Sequence, residues 1–447
     1  MSITHSCIRM PVWASRRTHA LTLLIAAAAC GLFVEVAVAQ SSPSSAQASQ
    51  PLTLSHAKTL ARATSAEIRG AREAIRAAQA RELQANAFLN PALTYGREQT
   101  ARGGQRNSQD IAQVEQALEI GGQRGARKNA ARIRREAAEA QLVAIEQQLD
   151  FEVTRAFHLF LAASRRAALA DSAANIFREA ERVSAERFAA GDVSGYTTRR
   201  LRLETARYAS QRAEASLALR TARIELASLL GITTIDVLLP VHATNVAASQ
   251  PVQPIDSLRA LAARSRAELR VRMLEASAIT ADAHLARSDR VPTPTFSAGY
   301  KRESVDDGIN TNAGTLNGFV AGFSLPLPVF DRKSAAVQAL SADASRATAE
   351  SDALRRRIDR EVQTAFESLN AVESQLLILQ PRLGEEASLA MRAVQVSYSE
   401  GEITLVEWLD AVRAYQEAEA TLATLQTEAA VRRAALERAV GTSLFAR

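Results

Sequence analysis

The chain has 447 residues, 47% of them hydrophobic and only 5% aromatic, with a formal net charge of +6. That length exceeds what one core requires and implies about two to four domains or one duplicated unit. The 54 Lys and Arg are interleaved with 48 Asp and Glu along helix-forming stretches, without a segregated basic patch or aromatic ladder, which argues against a nucleic-acid partner.

The N-terminus reads as an export signal over residues 1–39. Arg9, Arg16 and Arg17 form a basic head, Ala20–Ala29 and Gly31–Val34 are apolar, and Ala37-Val38-Ala39 makes an A-x-A cleavage site before Gln40. Lipidation at Cys30 would need cleavage just before it. Ala27-Ala28-Ala29-Cys30 lacks the usual leucine and would leave an apolar stretch at the mature end, so cleavage after Ala39 is expected. That cut removes three arginines, Glu35 and both cysteines, Cys7 and Cys30, taking the net charge from +6 to +4. It excludes disulfides, thiolate metal sites and a cysteine nucleophile. Residues 40–51, rich in Ser, Ala, Gln and Pro, form a flexible lead.

A segment order then occurs twice, over 52–231 and 255–441, joined by a linker at 232–254 and followed by a tail at 442–447. Each copy opens with an Ala/Arg-rich helical stretch, Leu54–Phe88 and Ser257–Asp289, and breaks at proline, at Asn90-Pro91 and at Val291–Pro294. Two alternating stretches follow in each, at about 92–98 and 111–120, then at about 295–302 and 316–325. Phe296, Ala298 and Tyr300 lie opposite Thr295, Ser297 and Gly299 with period two, which predicts β-strands. Gly122–Ala189 and Arg332–Tyr398 then run nearly 70 residues each, full of strong helix formers and broken only by Pro381. A last helix, Thr197–Leu229 or Leu405–Ala439, closes each copy. Gly191 and Gly231 lie 210 positions before Gly401 and Gly441, which marks a duplication.

A two-stranded ribbon is not stable alone, and four strands cannot close a barrel in lipid without unpaired edges. Three copies supply twelve strands, an even number, and twelve helices for a tube. The fold class is therefore a mixed α/β membrane protein: duplicated long-helix coiled-coil hairpins with two β-hairpins per chain. The expected assembly is a homotrimer with a 12-stranded β-barrel in outer-membrane lipid and an α-helical barrel below it. Leu93, Tyr95, Phe296, Tyr300, Phe319 and Phe323 are candidates to face lipid.

The paired halves and hairpins, with the turns Arg187-Phe188-Ala189-Ala190-Gly191-Asp192-Val193 and Tyr398-Ser399-Glu400-Gly401-Glu402-Ile403-Thr404-Leu405-Val406-Glu407-Trp408-Leu409-Asp410, resemble the outer-membrane efflux proteins, the TolC-like channels. The resemblance covers nearly all of the mature chain. Within that family, Leu118-Glu119-Ile120-Gly121-Gly122-Gln123-Arg124 is similar to the L-G-G-K-R stretch of cobalt–zinc–cadmium exporter channels, with Gln123 in place of the lysine.

The resemblance implies a passive exit duct, not an enzyme, working with a periplasmic adaptor (membrane fusion) protein and an inner-membrane RND-type pump. It places the helix turns at the narrow periplasmic end, where Arg187, Phe188, Gly191, Tyr398, Gly401 and Glu402 become candidates to dock the adaptor. Glu407 and Asp410, three apart on one helix face, match the family's pore-constricting aspartates, and three copies would set them as acidic rings. Ile403 stands where the family can carry a basic residue, which breaks the pattern of a salt-bridge latch.

No cofactor is called for. His56, His158, His242 and His284 show no ligand spacing, Met273 and Met391 are isolated, and no P-loop or hydrolase motif is present. Divalent heavy-metal export is the favoured role; general drug or small-molecule efflux and a periplasmic adaptor role are the alternatives.

Overall fold

A computed structural model of the chain describes residues 52–102, 105–232, 253–305, 314–400 and 402–445. The export signal with Cys30, all of the flexible lead, most of the linker, Gly401 and the last two tail residues lie outside the described residues.

The first repeat contains α1 (Leu54–Thr64), α2 (Ala66–Ala85), β1 (Ala92–Arg102), β2 (Gln105–Ala117), α3 (Gln123–Ala190) and α4 (Gly195–Leu230). The second contains α5 (Ile255–Ser265), α6 (Ala267–Ser288), β3 (Thr295–Val305), β4 (Gly314–Ser324), α7 (Ser334–Gln380), a π-helical turn (Pro381–Glu386), α8 (Ala387–Ser399) and α9 (Leu405–Val440). The opening stretch of each repeat is two helices, not the single one expected. Ser65 ends α1 with its N–H on the Ala61 carbonyl at 2.9 Å, while its hydroxyl accepts from the Ile68 N–H at 3.3 Å to start α2. One residue thus satisfies orphan groups of two helices.

The strands form one antiparallel sheet in the order β1-β2-β3-β4. They run further than their apolar alternation: β1 reaches Arg102 and β2 begins at Gln105, because ladder hydrogen bonds pair Glu98 with Gln109 and Arg97 with Asp110 regardless of side-chain polarity. The register groups side chains into cross-strand rows. Leu93, Val114, Ala298 and Ala321 share one row, and Tyr95, Ala112, Tyr300 and Phe319 share the next. Beyond them Arg97, Asp110, Arg302 and Asn317 make a polar row on the same face. The Tyr95 hydroxyl donates to Asp110 at 2.8 Å and that of Tyr300 to Asn317, so each tyrosine spans the apolar–polar boundary. The opposite face carries Thr94, Gln113, Gly299 and Val320, then Glu115, Ser297 and Gly322. One face of the sheet thus carries two largely apolar rows and the other is mostly small or polar, and Leu93 and Phe319 are about three-quarters exposed in the single chain.

α3 is 68 residues long, about 100 Å at 1.5 Å per residue. Each repeat builds its own core where the four helices meet. In the first, Leu149, Val153 and Phe160 of α3 pack with Ile68, Leu226 and Leu230. In the second, Ile358, Val362 and Leu369 of α7 pack with Leu269, Leu436 and Val440. Each of these large side chains contributes about 1.5–3 kcal/mol by leaving water. The α3 and α7 members lie 209 positions apart, whereas Leu226 and Leu436 lie 210 apart. The second repeat has gained one residue between core and turn, and the π-helical turn at Pro381–Glu386 is where the helix absorbs it.

Candidate functional site at the paired helix turns

The two turns are built alike. α3 ends as the Asp192 N–H reaches back to the Arg187 carbonyl at 2.8 Å, with Gly191 between them at φ +87°. That six-residue closure around a left-handed glycine satisfies the last carbonyls of the helix. In the second repeat the Glu402 N–H bonds the Ser397 carbonyl at 2.9 Å, and the Ser397 hydroxyl donates to the Glu402 carboxylate at 3.1 Å. The return helices start on equivalent caps. Ser194 accepts from the Thr197 N–H at 3.3 Å, and Thr404 from the Glu407 N–H at 3.4 Å.

Glu407 completes a capping box, its carboxylate accepting from the Thr404 N–H at 2.7 Å and the Thr404 hydroxyl at 2.8 Å. These donors hold its pKa below the usual glutamate value, the backbone N–H first and the hydroxyl second. One of the two expected acidic residues is therefore engaged by its own helix N-terminus. Asp410 is the freer carboxylate, two-thirds exposed and 3.7 Å from Arg413. Phe188 is half-exposed, and its ring lies against Gly195, where an added Cβ would approach it to 3.3 Å. Tyr196, which the sequence reading did not single out, extends this exposed aromatic surface.

Behind the turns the two hairpins are joined by an aromatic cluster. Phe177 of α3 stacks on Tyr208 of α4 with centroids 4.0 Å apart, and lies 5.6 Å from Trp408 of α9. Tyr398 of α8 stacks on the other side of Trp408 at 5.0 Å. Burial raises the pKa of Tyr398, with the Arg187 charge opposing it. The Trp408 indole N–H is buried without a hydrogen-bond partner among the described residues. Beside the cluster Arg413 of α9 donates to Glu204 of α4 across the hairpins. Arg413 Nε and the second Glu204 oxygen have no hydrogen-bond partner among the described residues.

Of the expected site residues, Tyr398 enters this cluster, Arg187 acts on it electrostatically, and Phe188 and Asp410 remain outward. Phe177, Tyr208, Glu204 and Arg413 were not anticipated.

The Leu118–Arg124 stretch lies at the strand-to-helix junction. Gly122 takes φ +78°, and a Cβ on Gly121 would fall 2.5 Å from that of Val291, so both glycines have local structural reasons. Gln123 is buried; its carbonyl oxygen accepts from the Gly121 N–H at 2.8 Å while its amide donates to the Val291 carbonyl at 2.9 Å. Lysine has no acceptor and could make only the second bond. Among the described residues no group of three or more His, Cys, Asp or Glu is arranged to hold a metal, and no helix is long and apolar enough to cross a membrane.

The profile of the family described as outer membrane efflux protein matches residues 258–442. The cobalt-zinc-cadmium resistance protein CzcC of Cupriavidus metallidurans is 28% identical over 378 residues, spanning 82% of this chain and 84% of the relative. The Campylobacter jejuni CmeC outer membrane channel superposes with a TM-score of 0.70 at 16% identity, covering 88% of this chain and 86% of that one. The open state of the Neisseria gonorrhoeae MtrE outer membrane channel gives 0.69 at 18%, covering 88% and 89%.

Proposed function

We propose that this chain belongs to the outer membrane efflux protein family and that it is the exit duct of a three-part RND-type pump for divalent heavy-metal cations. It is an outer-membrane channel with a large periplasmic helical portion, a conduit and not an enzyme. The metal assignment is carried by the similarity to a cobalt-zinc-cadmium resistance protein over most of both chains.

In this reading the inner-membrane pump loads the solute and the duct contributes a wet lumen. The sheet supplies the matching faces: apolar rows outward to lipid, with Thr94, Gln113, Glu115 and Ser297 inward to water. At the far end the turns, through the exposed Arg187, Phe188, Gly191 and Glu402 together with Tyr398 and Gly401, receive the periplasmic adaptor. Glu407 and Asp410 set the constriction, Asp410 as the outward charge and Glu407 through the cap that fixes the start of α9. Carboxylates repeated around an axis attract cations and repel anions.

The test is survival of a deletion strain on Zn²⁺, Cd²⁺, Co²⁺, Ni²⁺, Cu⁺, Ag⁺ and common drugs, with intracellular solute measured alongside. Selective sensitivity to divalent metals with accumulation, restored by the intact gene, is expected. Sensitivity to drugs alone would overturn the metal assignment and leave the duct in place.

A further inference from the structure

One face of the sheet is graded from the helix ends of its strands toward the hairpin ends. Its rows run from Phe296 and Phe323 through Leu93 and Val114 to Tyr95, Tyr300 and Phe319. The next row holds Arg97, Asp110, Arg302 and Asn317, and Arg106 stands on the same face four residues further along β2. At about 3.4 Å per residue the arginine row lies about 7 Å beyond the tyrosines. An aromatic row that closes an apolar band is the pattern of a barrel wall at the membrane–water interface.

Charge is sorted across the sheet at this height. The opposite face carries Glu98 and Glu303 in one row, with Lys301 paired to Glu303 at 3.0 Å. Arg97, Arg106 and Arg302 stand on the tyrosine face, where Asp110 is the one carboxylate among the described residues of these rows. That carboxylate is already engaged: the Tyr95 hydroxyl donates to it at 2.8 Å and Arg97 Nε lies at 3.8 Å. Arg302 sits directly opposite Asp110 in the ladder, yet it and Arg106 are exposed and form no ion pair among the described residues.

We propose that this row is a binding site for the phosphates of a lipid headgroup in the outer leaflet, held by Arg97 and Arg302 with Arg106 as a further cation above them. A guanidinium presents a flat fork of donors that takes two phosphate oxygens at once, which an ammonium cannot do. Arg97 and Arg302 stand two strands apart, about 10 Å, so each can take one phosphate of a headgroup that carries two. Asp110 between them opposes an anion, and its contacts with Tyr95 and Arg97 offset that charge.

The position of the row selects a lipid over a free phosphate. α2, α3, α6 and α7 all attach at the other ends of the strands, so helices in the periplasm put the arginines at the outer leaflet. Directly below them Leu93 and Phe319, about three-quarters exposed, offer acyl chains an apolar seat that inorganic phosphate has no use for.

This inference rests on the reading of the chain as an outer-membrane duct, and the experiment separates the two. Full-length protein is reconstituted in phosphatidylcholine vesicles containing lipid A, which carries two phosphates, or its monophosphoryl form, and retained lipid is read by native mass measurement after extraction. Wild type is expected to retain lipid A in preference to the monophosphoryl form and in the presence of millimolar inorganic phosphate. Arg97→Gln and Arg302→Gln are each expected to weaken retention about fivefold and the pair about thirtyfold, at about 1 kcal/mol per arginine near a lipid surface. Arg97→Lys with Arg302→Lys keeps the charge without the fork and is expected to fall between. Glu98→Gln, on the opposite face, should leave retention unchanged. Failure of the wild type to insert would defeat the duct reading and the site with it. Insertion with equal lipid A retention by wild type and the double glutamine variant, or displacement of lipid A by free phosphate, overturns the headgroup site alone.

Discussion

The turn between α3 and α4 and the turn between α8 and α9 share one backbone closure, Asp192 to Arg187 in the first and Glu402 to Ser397 in the second. Their side chains differ. At the positions of Trp408 and Glu407 in the second repeat, the first has Thr198 and Thr197. The first hairpin is one uninterrupted α3; the second reaches its turn through a π-helical segment and α8. Duplication therefore supplied two equal scaffolds, and the second became the one that carries the aromatic keystone, the capping box and the Arg413 link to Glu204.

The largest expected effect tests the helical phase. Deleting Ser172 from α3 rotates everything beyond it by about 100° and should abolish metal tolerance and stable trimer. Deleting Gly384 from the π-helical turn removes the extra residue of the second repeat, so that hairpin should keep its phase and its trimer. Equal damage from both deletions would show that the π turn is not the site of the insertion.

Next comes Trp408→Ala, which empties the space between Phe177, Tyr208 and Tyr398. A loss of about 3–5 kcal/mol is typical for a buried tryptophan. It should appear as rapid protease cleavage near the turns while the cores at Phe160 and Leu369 stay protected. Thr198→Ala, the matching position in the first repeat, should be far milder.

Arg413→Met leaves Glu204 with only the looser Arg207 pair at 3.9 Å. A loss of about 1–2 kcal/mol is expected, less than for a fully buried pair because Arg413 retains 30% exposure. Adding Glu204→Gln should recover much of it in a double-mutant cycle, and simple additivity would show that the two side chains do not interact.

The smallest effect at neutral pH is at His158, whose counterpart in the second repeat is Glu367. Burial, aided by the Lys58 charge, lowers the His158 pKa to about 4. A histidine kept neutral in the folded state contributes stability that is full above its unfolded value of about 6.5. That contribution is lost as pH falls from there to about 4. His158→Gln should flatten the thermal midpoint over this window, and an unchanged slope would place the acid sensitivity elsewhere.

The long helices could be read from the sequence because Ala, Arg, Glu and Leu run on with Pro381 as the one interruption, and the hairpins because Phe296, Ala298 and Tyr300 alternate. The strand extensions through Gln105–Asp110 could not, since backbone pairing holds polar residues in a ladder without any apolar signal. Ser65 carried a readable cap signal ahead of Ile68 that the Ala/Arg-rich surroundings masked. At the turns the glycines and the carboxylates Glu407 and Asp410 were visible. The Glu204–Arg413 link was not: its members lie in different repeats, and each alone looks like a solvated helix charge. Trp408 was visible as a residue, but Phe177 and Tyr208 reach it only through the packing of α3, α4 and α9.

The most direct measurement of the account is single-channel conductance of the purified protein in planar bilayers, wild type against Trp408→Ala combined with Arg413→Ala. A duct constricted at the turns predicts small, cation-preferring steps for wild type and several-fold larger ones once the hairpins are unlinked. Bilayers that stay silent with both proteins, although each inserts as a trimer, would contradict it.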